Sequence, residues 1–134
     1  MTTRTPREVV TALLDGVAAG RWDDLAELYA TDTVVRHPFA RDASALLTGR
    51  EALRAHFGRL ASSGMSLAAR EPVTVYETTD PEIVVARFTY AGTDATDTPI
   101  EMAACFIWRI RDGLIVDAHD YLDTPRPTDP KDFA

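Results

Sequence analysis

The segment Tyr29–Phe57, YATDTVVRHPFARDASALLTGREALRAHF, restricts the fold more than any other part of the chain. A helical pattern ends in it, Val34 and Val35 supply a short strand, and the strand runs into His37-Pro38. Proline disfavours helical backbone in the residue before it, so His37 is held extended at a strand end. A loop follows, then Thr48-Gly49-Arg50-Glu51, which reads as a capping box opening a further helix. This order suits a cone-shaped α+β fold, in which such a strand hangs a polar side chain over an apolar cavity.

The flanking sequence agrees. Thr5-Pro6-Arg7-Glu8 is a capping box with proline at the first helical position. Val9, Val10, Leu13, Leu14 and Val17 then recur at helical spacing until Gly20. Leu25, Leu28 and Tyr29 mark a second short helix, and Leu53, Phe57 and Leu60 carry the apolar face of the third. After Gly64 the period becomes two: strands are expected around Val73–Glu77, over Ile83–Ala91, over Ile100–Arg111 and over Leu114–Leu122. Asp112-Gly113 is a two-residue hairpin turn, because both types tolerate positive φ. Helices first and a strand meander second predict three N-terminal helices packed on a curved, mostly antiparallel sheet. One domain spanning 1–134 is expected, its proline-bearing tail (about 124–134) extended and loosely attached.

Composition narrows the partners. Fourteen Lys and Arg against 21 Asp and Glu leave a net charge of −7. With no basic cluster, neither nucleic acid nor an anionic membrane is an expected partner. No apolar run reaches the roughly 20 residues of a membrane-spanning helix, and MTTRTPREVV lacks a secretory core. A cytoplasmic location is the expectation. A lone Cys105, mid-strand, offers neither a disulfide nor metal spacing. His37, His56 and His119 are too scattered for a recognisable metal site, and no phosphate loop or nucleophile elbow occurs. No metal and no cofactor are expected.

Strand parity sorts the remaining candidates, since alternate side chains face opposite sides. Val84, Ala86, Phe88 and Tyr90 oppose Ile83, Val85, Arg87 and Thr89; Met102, Ala104, Phe106 and Trp108 oppose Ala103, Cys105, Ile107 and Arg109. In the last strand Val116, Ala118, Asp120 and Leu122 form one set. Arg87 and Asp120 each interrupt a mostly apolar set, so the two are expected to pair, either as a structural ion pair or as a polar dyad at the pocket floor. His37 is either a satisfied strand-end histidine or a proton-transfer group. His56 reads as a surface or packing residue, and His119, of opposite parity to Asp120, as facing an interface or solvent.

The chain resembles the nuclear transport factor 2-like superfamily, in particular its SnoaL-like branch of polyketide cyclases and ketosteroid isomerase-like proteins. The resemblance rests on WDDLAELY at 22–29, V-x-H-P-F at Val35–Phe39, GREAL at 49–53, Gly113-Leu114-Ile115 and Asp120-Tyr121-Leu122-Asp123. It implies the cone-shaped α+β barrel and a pocket for a small hydrophobic molecule. Ketosteroid isomerases carry an aspartate where His37 stands, and their two oxyanion donors fall at Leu13 and Phe106 here, which disfavours steroid-type isomerisation. Limonene-type epoxide hydrolases match at Arg87 and Asp120 but have an aspartate at the position of Thr89. SnoaL-type cyclases use an acid/base aspartate at the position of Asp120.

The resemblance thus implies Asp120, His37 and Arg87 as catalytic residues. Leu13, Trp22, Phe39, Phe57, Thr89, Ala104, Phe106, Trp108 and Leu122 are expected to line the substrate pocket. It also implies a homodimer through a convex sheet face bearing Phe88, Tyr90, Cys105, Ile107 and Tyr121. The expected activity is cofactor-independent isomerisation or cyclisation, ahead of lyase or hydrolase chemistry, on a carbonyl-bearing, polyketide-like or terpenoid substrate. The alternative is a non-catalytic ligand-binding or dimerisation module of the same fold. A protein-binding transport factor is a third reading, without a groove in the sequence to support it.

Overall fold

The computed structural model describes residues 3–128. Helix α1 (Pro6–Ala18) begins as expected: the Thr5 side chain accepts the Glu8 amide, and the Glu8 carboxylate accepts the Thr5 amide in return. A 3₁₀ helix (Trp22–Leu28) leads directly into β1 (Tyr29–Arg36), and a 3₁₀ turn at Ala43–Ala45 precedes β2 (Leu46–Thr48). Helix α2 (Arg50–Ser62) follows, then β3 (Ser66–Glu77), β4 (Ile83–Thr93), β5 (Pro99–Arg111), β6 (Leu114–Leu122) and β7 (Arg126–Pro127). The three longer helical segments pack on one face of a curved sheet, as the order of periodicities predicts.

The sheet runs β2-β1-β6-β5-β4-β3, antiparallel throughout except for the parallel β1–β6 pair. That crossover joins the N-terminal half of the chain to the last long strand. The buried apolar set of α1 (Val9, Val10, Leu13, Leu14 and Val17) meets the inward faces of β4 and β5, where Val84, Ala86, Phe88, Tyr90, Ala104, Phe106 and Trp108 are all buried. Asp112 (φ 52°) and Gly113 (φ 77°) form the tight β5–β6 turn, both in the left-handed region that a two-residue hairpin loop requires.

Several local expectations are corrected. The Thr48 capping box does not form: Thr48 belongs to β2, the residue before α2 is Gly49, and no side chain caps that helix. Strands β1 and β3 are longer than their apolar residues suggest: in β3 the polar Ser66 and Arg70 are held by ladder partners on β4, and β1 reaches back to Tyr29, in register with Ile115, across an irregular stretch. A register shift in β6 turns Ile115 inward in place of Val116, while Ala118 and Asp120 keep the inward parity. The tail is docked rather than loose over the part described. Arg126 and Pro127 pair with Glu101 and Ile100, and the amides of Asp123 and Thr128 donate to the carbonyls of Ala103 and Pro99. Residues 129–134 of the expected tail lie outside the described residues.

Candidate active site

His37 lies one residue beyond β1, before Pro38, and its amide donates to the Ala45 carbonyl at 2.9 Å. Its ring is fixed at both nitrogens. Nδ1 lies 2.7 Å from the Ser44 carbonyl oxygen, and Nε2 lies 3.6 Å from Asp120 Oδ2. A carbonyl oxygen only accepts, so Nδ1 carries a proton and Nε2 is the nitrogen that titrates. The parallel β1–β6 pairing explains the meeting of two residues so distant in sequence. Arg36 is in register with His119, which places the next residues, His37 and Asp120, side by side.

Asp120 is 6% exposed and His37 9%, both on the wall of a cavity of about 340 Å³. The other Asp120 oxygen, Oδ1, accepts Trp108 Nε1–H at 2.7 Å. Burial by itself would drive the His37 imidazole toward its neutral form, but the Asp120 carboxylate and the Ser44 carbonyl outweigh it, and its pKa is raised. His37 therefore keeps its Nε2 proton to a higher pH than a free imidazole would.

Most of the remaining wall is apolar or aromatic. Of the residues expected there, Leu13, Trp22, Phe39, Phe57, Phe106 and Leu122 line the cavity with His37 and Asp120. Phe39 stands at the mouth, 66% exposed, its ring edge-on to Tyr121 at 5.6 Å. Three others do not line it. Thr89 has the outward parity of β4, Ala104 is buried in the sheet but away from the cavity, and Trp108 sits behind the wall as the hydrogen-bond donor to Asp120.

Arg87 is the main correction. It is exposed on the outer face of β4, where Nη2 donates to the Tyr76 hydroxyl at 3.2 Å. Across the sheet Arg87 is in register with Cys105 and Tyr121, whereas Ala86, Phe106 and Asp120 form the adjacent row of opposite parity. The expected Arg87–Asp120 pair is absent, and His37 and Trp108 hold the aspartate instead. The same register removes Phe88 and Tyr90 from the convex face: both are buried on the concave side, and Cys105, Ile107 and Tyr121 remain outside. His119 stands on that outer face, 3.5 Å from Asp117.

His56, read as a surface or packing residue, lines the cavity. Its ring lies 5.3 Å from that of His37 and 5.6 Å from that of Phe57. The signal was available, since Leu53, His56, Phe57 and Leu60 follow the i, i+3, i+4, i+7 pattern and all four face the cavity. Burial, then the positive charges of His37 and Arg59, lower its pKa to about 4, so it is a neutral imidazole at pH 7. Tyr29, Tyr90, Thr124 and Pro125 were also missed as wall residues. Among the described residues no group of three or more His, Cys, Asp or Glu side chains could hold a metal ion, and no helix is long and apolar enough to cross a membrane.

Residues 10–118 match the family model of the SnoaL-like domain. No curated protein matches the sequence. Among solved structures, a Bacillus subtilis protein provisionally named an isomerase superposes with a TM-score of 0.79 at 23% identity, over 87% of this chain and 84% of that one. A provisionally named polyketide cyclase from Xanthomonas campestris gives 0.73 at 18% identity, over 96% and 93%. A Catenulispora acidiphila protein of ketosteroid isomerase-like fold, solved with trimethylamine, gives 0.73 at 22% identity, over 92% and 88%. At these identities the superpositions establish the fold.

Proposed function

The chain belongs to the SnoaL-like domain family, and we propose that it is a small-molecule enzyme that uses the His37–Asp120 pair to move a proton on a neutral, hydrophobic, carbonyl-bearing substrate. The observation that carries this reading is the 3.6 Å contact between His37 Nε2 and Asp120 Oδ2 on the wall of an otherwise largely apolar cavity. A proton-sharing pair costs free energy to bury unless each charge compensates the other. It is also the arrangement general acid–base chemistry needs, with one group able to accept a proton while its neighbour donates one.

Asp120 is placed to take a proton from the carbon next to the carbonyl, and His37 to return one elsewhere on the same molecule. Trp108 holds Oδ1, so Oδ2 is the reactive oxygen. The Ser44 carbonyl fixes the imidazole so that Nε2 points at that oxygen. Such a sequence moves protons without net oxidation, which fits isomerisation or intramolecular aldol-type cyclisation. The apolar wall supports a neutral substrate body, of polyketide-like or terpenoid character. Asp120→Asn and His37→Gln should each lower the rate of hydrogen–deuterium exchange beside the carbonyl of cyclic ketones by about 100-fold or more, followed by NMR. Exchange that is indifferent to both substitutions would refute the assignment and leave a ligand-binding module.

The same reading places the protein in the cytoplasm as a homodimer. The outer sheet face supports the pairing: Ile107 and Tyr76 are exposed large apolar side chains there, beside half-buried Cys105 and Tyr121.

A further inference from the structure

His56 interrupts an otherwise apolar helix face and has no part in the proton-transfer pair. Helix α2 presents Leu53, His56, Phe57 and Leu60 to the cavity. Two of its charged residues are engaged elsewhere: Arg50 donates to the Tyr29 carbonyl, and Arg54 pairs with Glu27 and Glu51. Neither nitrogen of the His56 ring bonds another protein group among the described residues. Yet no fully enclosed side-chain oxygen or nitrogen among those residues is left without a partner. Both ring nitrogens must therefore open on space that a ligand or water fills.

The ring is placed by its neighbours. It lies 5.3 Å from that of His37, at 33° to it, and His37 Nε2 lies 3.6 Å from Asp120 Oδ2. Helix α2, the end of β1 and β6 thus bring three polar side chains into one cluster. The field at His56 is mixed, with His37 and Arg59 positive and Asp42 and Asp120 negative. Neither a carboxylate nor an ammonium group is favoured there, and the imidazole itself is neutral at pH 7. A neutral imidazole has one donor and one acceptor nitrogen. In His37 the Ser44 carbonyl fixes which is which, whereas no protein group among the described residues does so for His56. A ligand carbonyl would satisfy only the N–H. A hydroxyl both donates and accepts, so it matches the ring in either tautomer.

We propose that His56 is a specificity-determining residue that pairs with a hydroxyl group of the substrate, on the same end of the molecule as the carbon that gives its proton to the His37–Asp120 pair. The preferred substrates are then enolisable hydroxyketones rather than plain ketones. This rests on the proton-transfer reading above for the reacting carbon and adds the group that orients it. A hydroxyl that enters an apolar cavity gives up its hydrogen bonds to water, so a wall without a partner rejects it. His56 supplies that partner between Leu53, Phe57 and Leu60, which cannot. The hydroxyl stays on the molecule throughout and is neither oxidised nor expelled.

The test is an NMR titration of the full chain at pH 7 with 1-tetralone, 4-hydroxy-1-tetralone and 4-methoxy-1-tetralone, which share the ketone and its exchangeable C2. The parent should bind the hydroxyketone about five- to tenfold more tightly than the methoxy compound, which keeps the oxygen but not the donor. His56→Phe should abolish that preference, and His56→Gln, which retains a donor and an acceptor, should restore most of it. The His56 nitrogen resonances of the parent should shift further with the hydroxyketone than with 1-tetralone. A preference that survives His56→Phe, or equal nitrogen shifts with both ligands, overturns the proposal and leaves water as the partner of the ring. Exchange at C2 of 1-tetralone that depends on Asp120, without any preference for the hydroxyl, would overturn the role of His56 alone. A His56-dependent preference without exchange would support that role and refute the proton-transfer reading.

Discussion

At the scale of single residues, the two cavity imidazoles pull stability in opposite directions. His37 has a raised pKa, so its contribution is complete below the unfolded value near 6.5 and is lost as pH rises through the folded value. His56 has a lowered one, about 4; its contribution is complete above 6.5 and is lost as pH falls toward 4. Between those limits the unfolded chain binds a proton at His56 that the folded chain refuses. The groups facing that ring are His37, Arg59, Asp42 and Asp120, so the balance is between two positive and two negative neighbours. His56→Gln should remove about 2 kcal/mol of the stability lost between pH 7 and 4.5, the full shift being discounted for solvent at the ring's outer edge. Urea denaturation at the two pH values measures this, and equal acid losses in parent and variant would contradict it. His37 was visible from its proline neighbour, whereas His56, read as a surface or packing residue, shares the helical spacing of Leu53, Phe57 and Leu60 on the cavity wall. The partner of Asp120 was not, because a charge in an apolar strand announces only that some partner is needed.

At the scale of elements, strand contacts decide which side chains reach the cavity. Gly92 of β4 lies so close to β3 that a Cβ there would run into the Ser66 carbonyl oxygen, with the Leu67 Cα at 3.0 Å. The obstacle is backbone, which cannot rotate away. Gly92→Ala should therefore force β3 from β4 and cost about 3 kcal/mol or more, beyond the usual range for a single substitution; thermal unfolding within a degree of the parent would refute the contact. The boundaries of β4, β5 and β6 were readable from alternation and from the Asp112-Gly113 turn. The full extents of β1 and β3 were not, since Ser66 and Arg70 become strand through Thr93 and Thr89 of β4, and the part of β1 before Val34 runs through a register irregularity. The β6 bulge, which trades Val116 for Ile115 on the inner face, also left no mark in the local pattern.

For the whole molecule, the sheet presents one face to the helices, and the other, with Ile107 and Tyr76 exposed on it, is the face proposed above for a second copy. Light scattering should give twice the 14.7 kDa chain mass, and Ile107→Asp should shift the protein toward monomer by placing a charge in an apolar contact; a parent that is monomeric at all concentrations would remove the dimer. The sequence by itself determined what depends on near neighbours: the Thr5 cap, the helical faces, the tight turn, the extended backbone at His37, and hence helices followed by a meander. The tertiary structure alone decided which distant residues meet. A one-residue change in strand register exchanges the two faces of a strand, so parity could not say whether Ala86 or Arg87 shares Asp120's side. The β4–β5–β6 register placed Ala86 there, and the parallel β1–β6 pairing brought His37 to the aspartate. Local preference is written over a few residues, whereas the site is made by pairings across more than eighty.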